Sequence, residues 1–275
     1  MTELCAIVLA AGAGTRLRPL TWLRPKALCP VGNVTLLDRA LTRLAELGLT
    51  GPDRVAVNAA WLADQVAAAV AGRAYLSREP APLGTAGGVA RLRHWLAGRP
   101  VLVGNADAYL AGGSLAPLVD GWDGETVRLL GVPSAPGMVG TFAGYGFGGY
   151  SLLPWSWVRD LTEDAGELVR AVWRPAEAAG AVEVVPFTGY FRDTGTPADY
   201  LAANLHAAGG GNLIAPDAEV TGECREAVIG AAATVRGTVH RGVVWPGGFV
   251  AEAEHLTDAV RAGTDLTVRV TAPAG

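Results

Sequence analysis

The fold is decided by residues 5–16, which read Cys-Ala-Ile-Val-Leu-Ala-Ala-Gly-Ala-Gly-Thr-Arg. The apolar run over Cys5–Ala10 predicts a buried strand, because short apolar segments bounded by turn residues are typical of strands covered on both faces. The glycines of the following loop, 12–16, let backbone N–H groups come close to a ligand, and such loops often receive phosphate. The stretch therefore indicates a strand with a candidate phosphate loop at its carboxyl end.

Lys26 is unusual in this chain. It is the one lysine among 22 Lys and Arg residues, and Arg16, Arg18 and Arg24 precede it closely. All the other residues of this group are arginines, and the one lysine follows the candidate phosphate loop closely in the sequence. Because the two side chains bind anions with different geometry, this predicts a role that arginine does not fill.

Composition limits the class of protein. With 275 residues, 50% of them hydrophobic and 17% charged, the chain can bury a sizeable core, as a compact soluble protein does. The net charge of −4 gives no general attraction to nucleic acid. No apolar run has the length of a membrane span, so we expect a cytoplasmic protein with neither nucleic-acid nor membrane partners. Cys5, Cys29 and Cys224 form no CxxC pair and are expected to be reduced packing residues.

Strands and helices are predicted to alternate along the first 208 residues. The predicted helices cover 36–47, 60–71, 89–96, 161–179 and 198–206, and the fourth of them is interrupted by Gly166 and Pro175. The predicted later strands cover 54–58, 74–76, 100–104, 126–132, 149–153 and 181–186. This alternation favours a mostly parallel sheet covered by helices on both faces, in a domain spanning 1–208. Ligands of such sheets lie outside the carboxyl ends of the strands, where loop 12–16 and Asp107 fall. Thr85 and Thr196 are predicted helix N-caps, the latter followed by Pro197.

The C-terminal part contains a repeat. Segments 214–220, 229–235 and 244–250 each carry two aliphatic residues six positions apart, and they recur every 15 residues. This period predicts about three coils of a small β-helix over 212–275, closed by Leu266–Val270. A hairpin-rich β appendage is the alternative. Residues 209–211, all glycine, are predicted to link the two domains.

Two common phosphate motifs do not fit the N-terminal loop. No Gly-Lys-Ser/Thr follows the glycines, and Leu17 stands where a dinucleotide fingerprint needs its third glycine. Instead, segments 9–17, 19–21 and 24–26 together resemble the sugar-1-phosphate nucleotidylyltransferases. The resemblance continues in Leu-Gly-Thr-Ala-Gly-Gly at 83–88, Asn-Ala-Asp at 105–107 and Asp-Thr-Gly-Thr-Pro at 193–197. It therefore covers nearly the whole chain.

The resemblance implies a fold, a reaction and roles for particular residues. The fold would be a Rossmann-like, mostly parallel sheet between helices, with a short C-terminal left-handed β-helix through which copies of the chain could associate. A sugar 1-phosphate would attack the α-phosphorus of a nucleoside triphosphate and release pyrophosphate. Arg16 would hold the pyrophosphate, Lys26 the α-phosphate, and Asp107 and Asp193 would bind Mg²⁺. Nucleotide contacts are implied for Leu9, Ala11, Gly12, Gly14, Thr15, Thr85, Gly87 and Gly88. Sugar contacts are implied for Asn105, Gly149 and Glu167.

The motifs differ about the substrate. Residues 82–87 are most similar to mannose-1-phosphate guanylyltransferases, which makes GTP and mannose 1-phosphate the leading prediction. Residues 58–62 with Gln65 are similar to muramate-type uridylyltransferases, so UTP, or dTTP, is the alternative. Many relatives also carry a second lysine in a Glu-Lys-Pro segment, which is missing from the short region 132–140. Arg128 and Arg192 are the candidates to replace it.

Two further classes remain open. The trimmed sugar region motivates a non-catalytic subunit that binds a nucleotide sugar for regulation. The β-helix motivates an acyltransferase, for which His240 and His255 are the candidate bases. Retention of Arg16, Lys26 and the two aspartates favours the nucleotidylyltransferase.

Overall fold

The computed structural model describes residues 3–134 and 140–270. It divides into two compact units. Unit 1 comprises Met1–Ala13, Pro25–Ala27 and Leu37–Phe191, and unit 2 comprises Gly14–Arg24, Leu28–Leu36 and Arg192–Gly275. The predicted domain limits at 208 and 212 stay a prediction.

The strands and helices are named in chain order. The strands are β1 (Cys5–Leu9), β2 (Pro30–Val31), β3 (Val34–Thr35), β4 (Val55–Ala59), β5 (Tyr75–Arg78), β6 (Val101–Asn105), β7 (Ala108–Ala111), β8 (Val127–Pro133), β9 (Tyr145–Leu153), β10 (Val182–Pro186), β11 (Tyr190–Asp193), β12 (Leu213–Ile214), β13 (Glu219–Val220), β14 (Glu223–Ile229), β15 (Thr234–Val235), β16 (Thr238–Val244), β17 (Phe249–Val250), β18 (His255–Ala262) and β19 (Leu266–Arg269). The α-helices are α1 (Leu20–Leu23), α2 (Leu36–Glu46), α3 (Ala63–Val70), α4 (Gly84–Arg91), α5 (Arg93–Leu96), α6 (Ala116–Val119), α7 (Trp155–Val158), α8 (Arg174–Ala178) and α9 (Pro197–Ala208).

The main sheet of unit 1 is mostly parallel, as predicted. Among the described residues it has seven strands in the order β10-β8-β9-β6-β1-β4-β5. β1 pairs in parallel with β4 and β6, β4 with β5, and β8 with β10, whereas β9 runs antiparallel to β6 and β8. The carboxyl ends of β1, β4, β5 and β6 consequently meet at one edge of the sheet.

β1 forms because its apolar side chains are covered on both faces of the sheet. Cys5 and Ile7 pack with Val89 of α4 and Val103 of β6 in one core cluster, and Ala6 is fully buried as well. Burial raises the pKa of the Cys5 thiol to about 11, which suits a protonated packing residue. The two-sided burial explains why β1 appears in the sequence as a continuous apolar run.

Two predicted helices of unit 1 differ from the structure. The helix expected over 89–96 begins at Gly84, ends at Arg91 and is followed by the separate α5. The helix expected over 161–179 is helical over Val169–Trp173, as a π-turn, and then over Arg174–Ala178. Gly166 lies outside these helical residues, because its backbone groups bond to another segment of the chain. Gly166 N donates to Leu83 O at 3.0 Å, and Gly166 O accepts from Ala86 N at 2.9 Å.

Strand pairing in unit 2 confirms the 15-residue repeat that the sequence predicts. β13, β15 and β17 pair in parallel, with Val220 opposite Val235 and Val235 opposite Val250. β12, β14, β16 and β18 form a second parallel set, and β19 closes it in antiparallel pairing with β18. Such stacking is compatible with a β-helix, whose left-handed sense stays a prediction.

The helix α9 begins and ends as the sequence indicates. The Thr196 hydroxyl accepts from Asp199 N at 3.2 Å, Pro197 occupies the first turn, and Gly209 ends the helix in the left-handed region at φ 62°. In the described part of the chain, no helix is both long and apolar enough to cross a membrane.

Candidate active site

The segment 10–13, which leads into loop 12–16, belongs to unit 1 and follows β1 directly. Ala10 N donates to Asn58 Oδ1 at 2.6 Å, and Leu9 O accepts from Ala106 N at 3.0 Å. Ala11 is buried, whereas Gly12 is exposed and a Cβ atom built on it would meet nothing within 4 Å. The loop is therefore anchored at its start and open to solvent at Gly12, as a ligand-binding loop must be.

The second half of the loop belongs to unit 2. Gly14 adopts a left-handed conformation, φ 59°, and caps a 3₁₀ turn over Thr15–Leu17. The Thr21 hydroxyl donates to Gly14 O at 2.9 Å and holds this turn. Because a side chain disfavours positive φ, glycine at position 14 is explained by the turn itself.

Arg16 and Asp193, both in unit 2, form an exposed ion pair. Arg16 Nη2 lies 3.6 Å from Asp193 Oδ2, and their side chains are 68% and 52% exposed. A Cβ atom at Gly195 would come within 2.8 Å of Arg16 Nη2, so the guanidinium rests against the backbone at Gly195. Pairs this exposed add little stability, and these charges are accessible to a ligand.

Lys26 and Asp107, both predicted site residues, contact each other in unit 1. Lys26 begins a 3₁₀ turn over Lys26–Leu28, and Asp107 lies in the turn between β6 and β7. Lys26 Nζ donates to Asp107 Oδ2 at 2.7 Å, although the residues are 81 positions apart. The Lys26 side chain is 9% exposed and that of Asp107 is 39% exposed. A buried ammonium needs such an anionic partner, and the partner here is the predicted metal ligand.

Thr85 and Glu167 contact each other in unit 1. Thr85 is not the helix N-cap that its sequence position suggests, because its hydroxyl donates to Glu167 Oε2 at 2.8 Å and accepts from Leu168 N at 2.7 Å. Side chains on the neighbouring glycines would collide with the same loop: a Cβ atom would lie 2.4 Å from Gly166 O at Gly84 and 2.7 Å from Asp164 O at Gly87. These glycines bring loop 164–168 onto α4.

The other predicted sugar contacts lie on strands of unit 1. Asn105 is the last residue of β6 and pairs with Leu9. Gly149 is buried in β9 at φ +87°, and a Cβ atom there would lie 2.5 Å from Ala108 Cβ. Backbone conformation and close packing explain the glycine at 149, and its contact with a sugar stays a prediction.

Glu79 was missed by the sequence reasoning, and Asn58 entered it as a family cue without a role. Both are buried, with 5% and 1% of their surface exposed. Asn58 Nδ2 donates to Glu79 Oε1 at 2.7 Å, and Leu83 N donates to Glu79 Oε2 at 2.9 Å. A lone acidic residue after a short strand carries no sequence signal for such a network, because its donors depend on strand pairing.

The arginines expected to replace the second lysine are held by other contacts. Arg128 is buried, and its Nε donates to Glu183 Oε2 at 2.7 Å while its Nη1 donates to Asp120 O at 2.8 Å. Arg128 therefore holds β8 to its neighbours, which corrects the expectation that it could grip a sugar phosphate. Arg192 lies 3.0 Å from Asp199 in unit 2. Residues 135–139 of the short region lie outside the described residues.

Comparison with known proteins shows the family. The sequence model of the family described as MobA-like NTP transferase domain matches residues 6–179 of this chain. The chain belongs to this family. The matched span includes Lys26, Asp107 and Glu167, and it ends before Asp193.

Curated relatives match part of the chain. An N-acetylmuramate alpha-1-phosphate uridylyltransferase from Neisseria meningitidis serogroup B is 41% identical over 109 residues, which is 37% of this chain and 46% of the relative. A protein of the same name from Caulobacter vibrioides is 37% identical over 132 residues, 44% of this chain and 53% of the relative. A mannose-1-phosphate guanylyltransferase from Mycobacterium tuberculosis is 38% identical over 120 residues, 42% of this chain and 33% of the relative. The chain spans about half the length of the first two relatives and a third of the last.

A solved structure extends the likeness in fold. A protein from Bacillus anthracis, proposed to be a glucose-1-phosphate thymidylyltransferase, superposes with a TM-score of 0.64 at 17% identity. The match covers 74% of this chain and 95% of that one. It shows the nucleotidyltransferase-like fold.

The donor chemistry around Asp107 fits the Mg²⁺ that the family resemblance implies. Mg²⁺ prefers hard oxygen ligands and is usually held by one or two carboxylates, with phosphates and water completing its shell. The half-exposed Asp107 carboxylate offers such oxygens. Within residues 3–134 and 140–270, no group of three or more His, Cys, Asp or Glu side chains is placed to hold a metal.

Proposed function

We propose that this protein transfers a nucleotidyl group from a nucleoside triphosphate to a sugar 1-phosphate and releases pyrophosphate. The observation that carries the proposal is the 2.7 Å contact between Lys26 Nζ and Asp107 Oδ2. It places the single ammonium side chain of the sequence against a carboxylate at the carboxyl end of β6, the edge where ligands of such sheets bind. Membership of the MobA-like NTP transferase family supports the proposal.

The reaction needs positioning and charge stabilisation more than covalent chemistry. An oxygen of the sugar phosphate forms a bond to the α-phosphorus as the bond to the bridging oxygen of pyrophosphate breaks, so negative charge gathers on oxygen atoms. Lys26 donates to an α-phosphate oxygen, and its burial strengthens that interaction. The open backbone at Gly12 receives phosphate. Arg16 belongs to unit 2, and its contact with the leaving pyrophosphate stays a prediction.

Asp107 has two tasks in this proposal. Its carboxylate holds the Lys26 ammonium in place, and it serves as a ligand of Mg²⁺. When bound, Mg²⁺ neutralises charge on the phosphate oxygens. The second predicted ligand, Asp193, belongs to unit 2, and its part in metal binding stays a prediction.

GTP with mannose 1-phosphate is the leading substrate pair. Its support is the segment 82–87 and the relative from Mycobacterium tuberculosis. UTP with N-acetylmuramate 1-phosphate is the second candidate, supported by two relatives of that name. The Asn58 motif adds little to the second candidate, because the Asn58 amide is buried and already bonded to Ala10 and Glu79.

A substrate panel tests the proposal. Pyrophosphate release is measured for GTP, UTP, dTTP, ATP and CTP, each with mannose, N-acetylmuramate and glucose 1-phosphates, with and without Mg²⁺. We expect Mg²⁺-dependent turnover of at least one pair, and its loss in Asp107→Ala. The exposed Glu163, which pairs with Arg91, provides the control Glu163→Ala, which should retain activity. Tight nucleotide-sugar binding without turnover of any pair would favour the regulatory subunit instead.

A further inference from the structure

Three neighbouring strand ends of unit 1 are joined by a chain of hydrogen bonds through two buried side chains. Ala10 follows β1, Asn58 lies near the end of β4, and Glu79 follows β5. Ala10 N donates to Asn58 Oδ1, Asn58 Nδ2 donates to Glu79 Oε1, and Leu83 N donates to Glu79 Oε2, at 2.6, 2.7 and 2.9 Å. The chain thus begins at the glycine loop and ends at the residue before α4.

We infer that Asn58 and Glu79 are positioning residues that set the segment 10–13, at the start of the glycine loop, relative to the segment 83–88. This inference rests on the proposed function, because both segments are the predicted nucleotide contacts. We call the pair the Asn58–Glu79 relay. It touches the two segments through backbone N–H groups, and so it acts on the nucleotide through their placement.

Burial makes the relay restrictive. With Asn58 1% and Glu79 5% exposed, water does not readily replace a lost partner, and each donor must meet its acceptor. The carboxylate is suited to this role because its two oxygens accept from two different donors, one on each side. Shifting either backbone segment would leave a buried polar group unpaired, so the relay holds both segments in one arrangement.

Gly88 is explained by the same relay. A Cβ atom at position 88 would lie 2.6 Å from Asn58 Nδ2 and 3.0 Å from Glu79 Oε1. The sequence predicts a nucleotide contact for Gly88, and the structure adds a second reason for glycine there. Without a side chain, α4 can lie directly against the buried amide and carboxylate.

Three single variants test the relay, together with one double variant in which the amide and the carboxylate trade positions. Glu79→Gln removes one of two acceptors, and Asn58→Asp places a second carboxylate against Glu79. In the double variant N58D/E79Q, the new carboxylate accepts from Ala10 N–H and from the new amide, whose oxygen accepts from Leu83 N–H. Gly88→Ala pushes on the relay without changing its polar groups. Val70→Ala, in the buried C-terminal turn of α3, is the control for lost stability.

The readout is the dissociation constant for GTP and for UTP with Mg²⁺, measured by calorimetry alongside KM, kcat and the melting temperature. We expect each single relay variant to weaken nucleotide binding by roughly tenfold, since an unpaired buried donor is costly, and to raise KM more than it lowers kcat. The double variant N58D/E79Q should restore nucleotide binding. Val70→Ala should melt earlier and bind nucleotide normally.

The possible results distinguish failure of the relay from failure of the proposed function. Wild-type affinity in Glu79→Gln and Gly88→Ala, or a double variant that binds no better than the singles, overturns the relay. Weakened binding in Val70→Ala at an equal loss of stability also overturns it, because general destabilisation would then suffice. A wild-type protein that binds nucleotide but turns over no substrate pair overturns the proposed function and leaves the relay measurable. A wild-type protein that binds neither nucleotide overturns both.

Discussion

Removing the Asp107 carboxylate should affect stability in a way that depends on Lys26. In Asp107→Ala, the Lys26 ammonium loses its carboxylate partner while its side chain stays buried at 9% exposure. In Lys26→Met, the carboxylate that remains is 39% exposed and can be hydrated. We therefore expect the first substitution to destabilise the protein more than the second, although both should abolish activity.

The size of the effect follows from the geometry. Removing one partner of a fully buried ion pair costs about 3–5 kcal/mol, and a fully exposed pair contributes about 0.2–1 kcal/mol. The Lys26–Asp107 pair has one buried and one half-exposed member, so we expect about 2 kcal/mol for Asp107→Ala. For a chain of this size that corresponds to a fall of about 4–8 °C in melting temperature. Lys26→Met should cost under about 1 kcal/mol, because no charge is left buried.

The assay is urea and thermal unfolding followed by circular dichroism, applied to wild type, both single variants and the double variant. The control is Glu163→Ala, which removes an ion pair of similar length, 2.8 Å, whose side chains are 38% and 49% exposed. It should lie within about 1 kcal/mol of wild type. The double variant should be more stable than Asp107→Ala, since it no longer buries an ammonium without its carboxylate.

Two results would refute this reasoning. One is a double variant that is as unstable as Asp107→Ala, since the lost stability would then not come from the stranded ammonium. The other is an equal loss in Asp107→Ala and Glu163→Ala, since burial of Lys26 would then have no energetic consequence.

Three further predictions concern other contacts. Lys26→Arg should lose most of its kcat while remaining folded, because the guanidinium is broader than the ammonium that this buried position accepts; wild-type kinetics would remove the argument from the single lysine. Gly195→Ala should lower kcat/KM by roughly tenfold or more with little change in melting temperature, because its Cβ atom would displace the flexible Arg16 guanidinium from 2.8 Å; unchanged turnover would show that Arg16 needs no support there. The Arg261 hydrogen bond holds the pKa of the Glu254 carboxyl below its ordinary value, so its contribution to stability is present above the unfolded pKa and is lost as pH falls through the folded pKa. Glu254→Gln should therefore lower the urea midpoint at neutral pH, and the difference from wild type should shrink as the pH falls below the unfolded pKa of the carboxyl. A difference that stays constant from neutral to acid pH would contradict this assignment.

Local patterns in the sequence predicted much of the fold. The apolar run of β1, the alternation of strands and helices, and the caps of α9 depend on neighbouring residues, since backbone sterics, periodicity and capping act over a few positions. The 15-residue period likewise identified the parallel stacking of unit 2, because stacked coils repeat the same inward positions.

The candidate site was predicted in part. Lys26 and Asp107 were both chosen from the sequence, but their contact was not, because it depends on how β6 pairs with β1. The start of α4 at Gly84 and the bonding of Thr85 to Glu167 were also missed. Both features depend on loop 164–168, about 80 positions away along the chain. This loop forms hydrogen bonds with backbone and side-chain groups at the start of α4.

The residue types and their order along the chain thus determine the strand, the glycine loop, the single lysine and the repeat. Tertiary structure decides which polar groups meet. Asn58 and Glu79 show the reason: each is ordinary in the sequence, and they meet because parallel pairing of β1, β4 and β5 brings three strand ends together. Burial at that edge then requires every donor to find an acceptor, and this requirement appears only when distant segments pack.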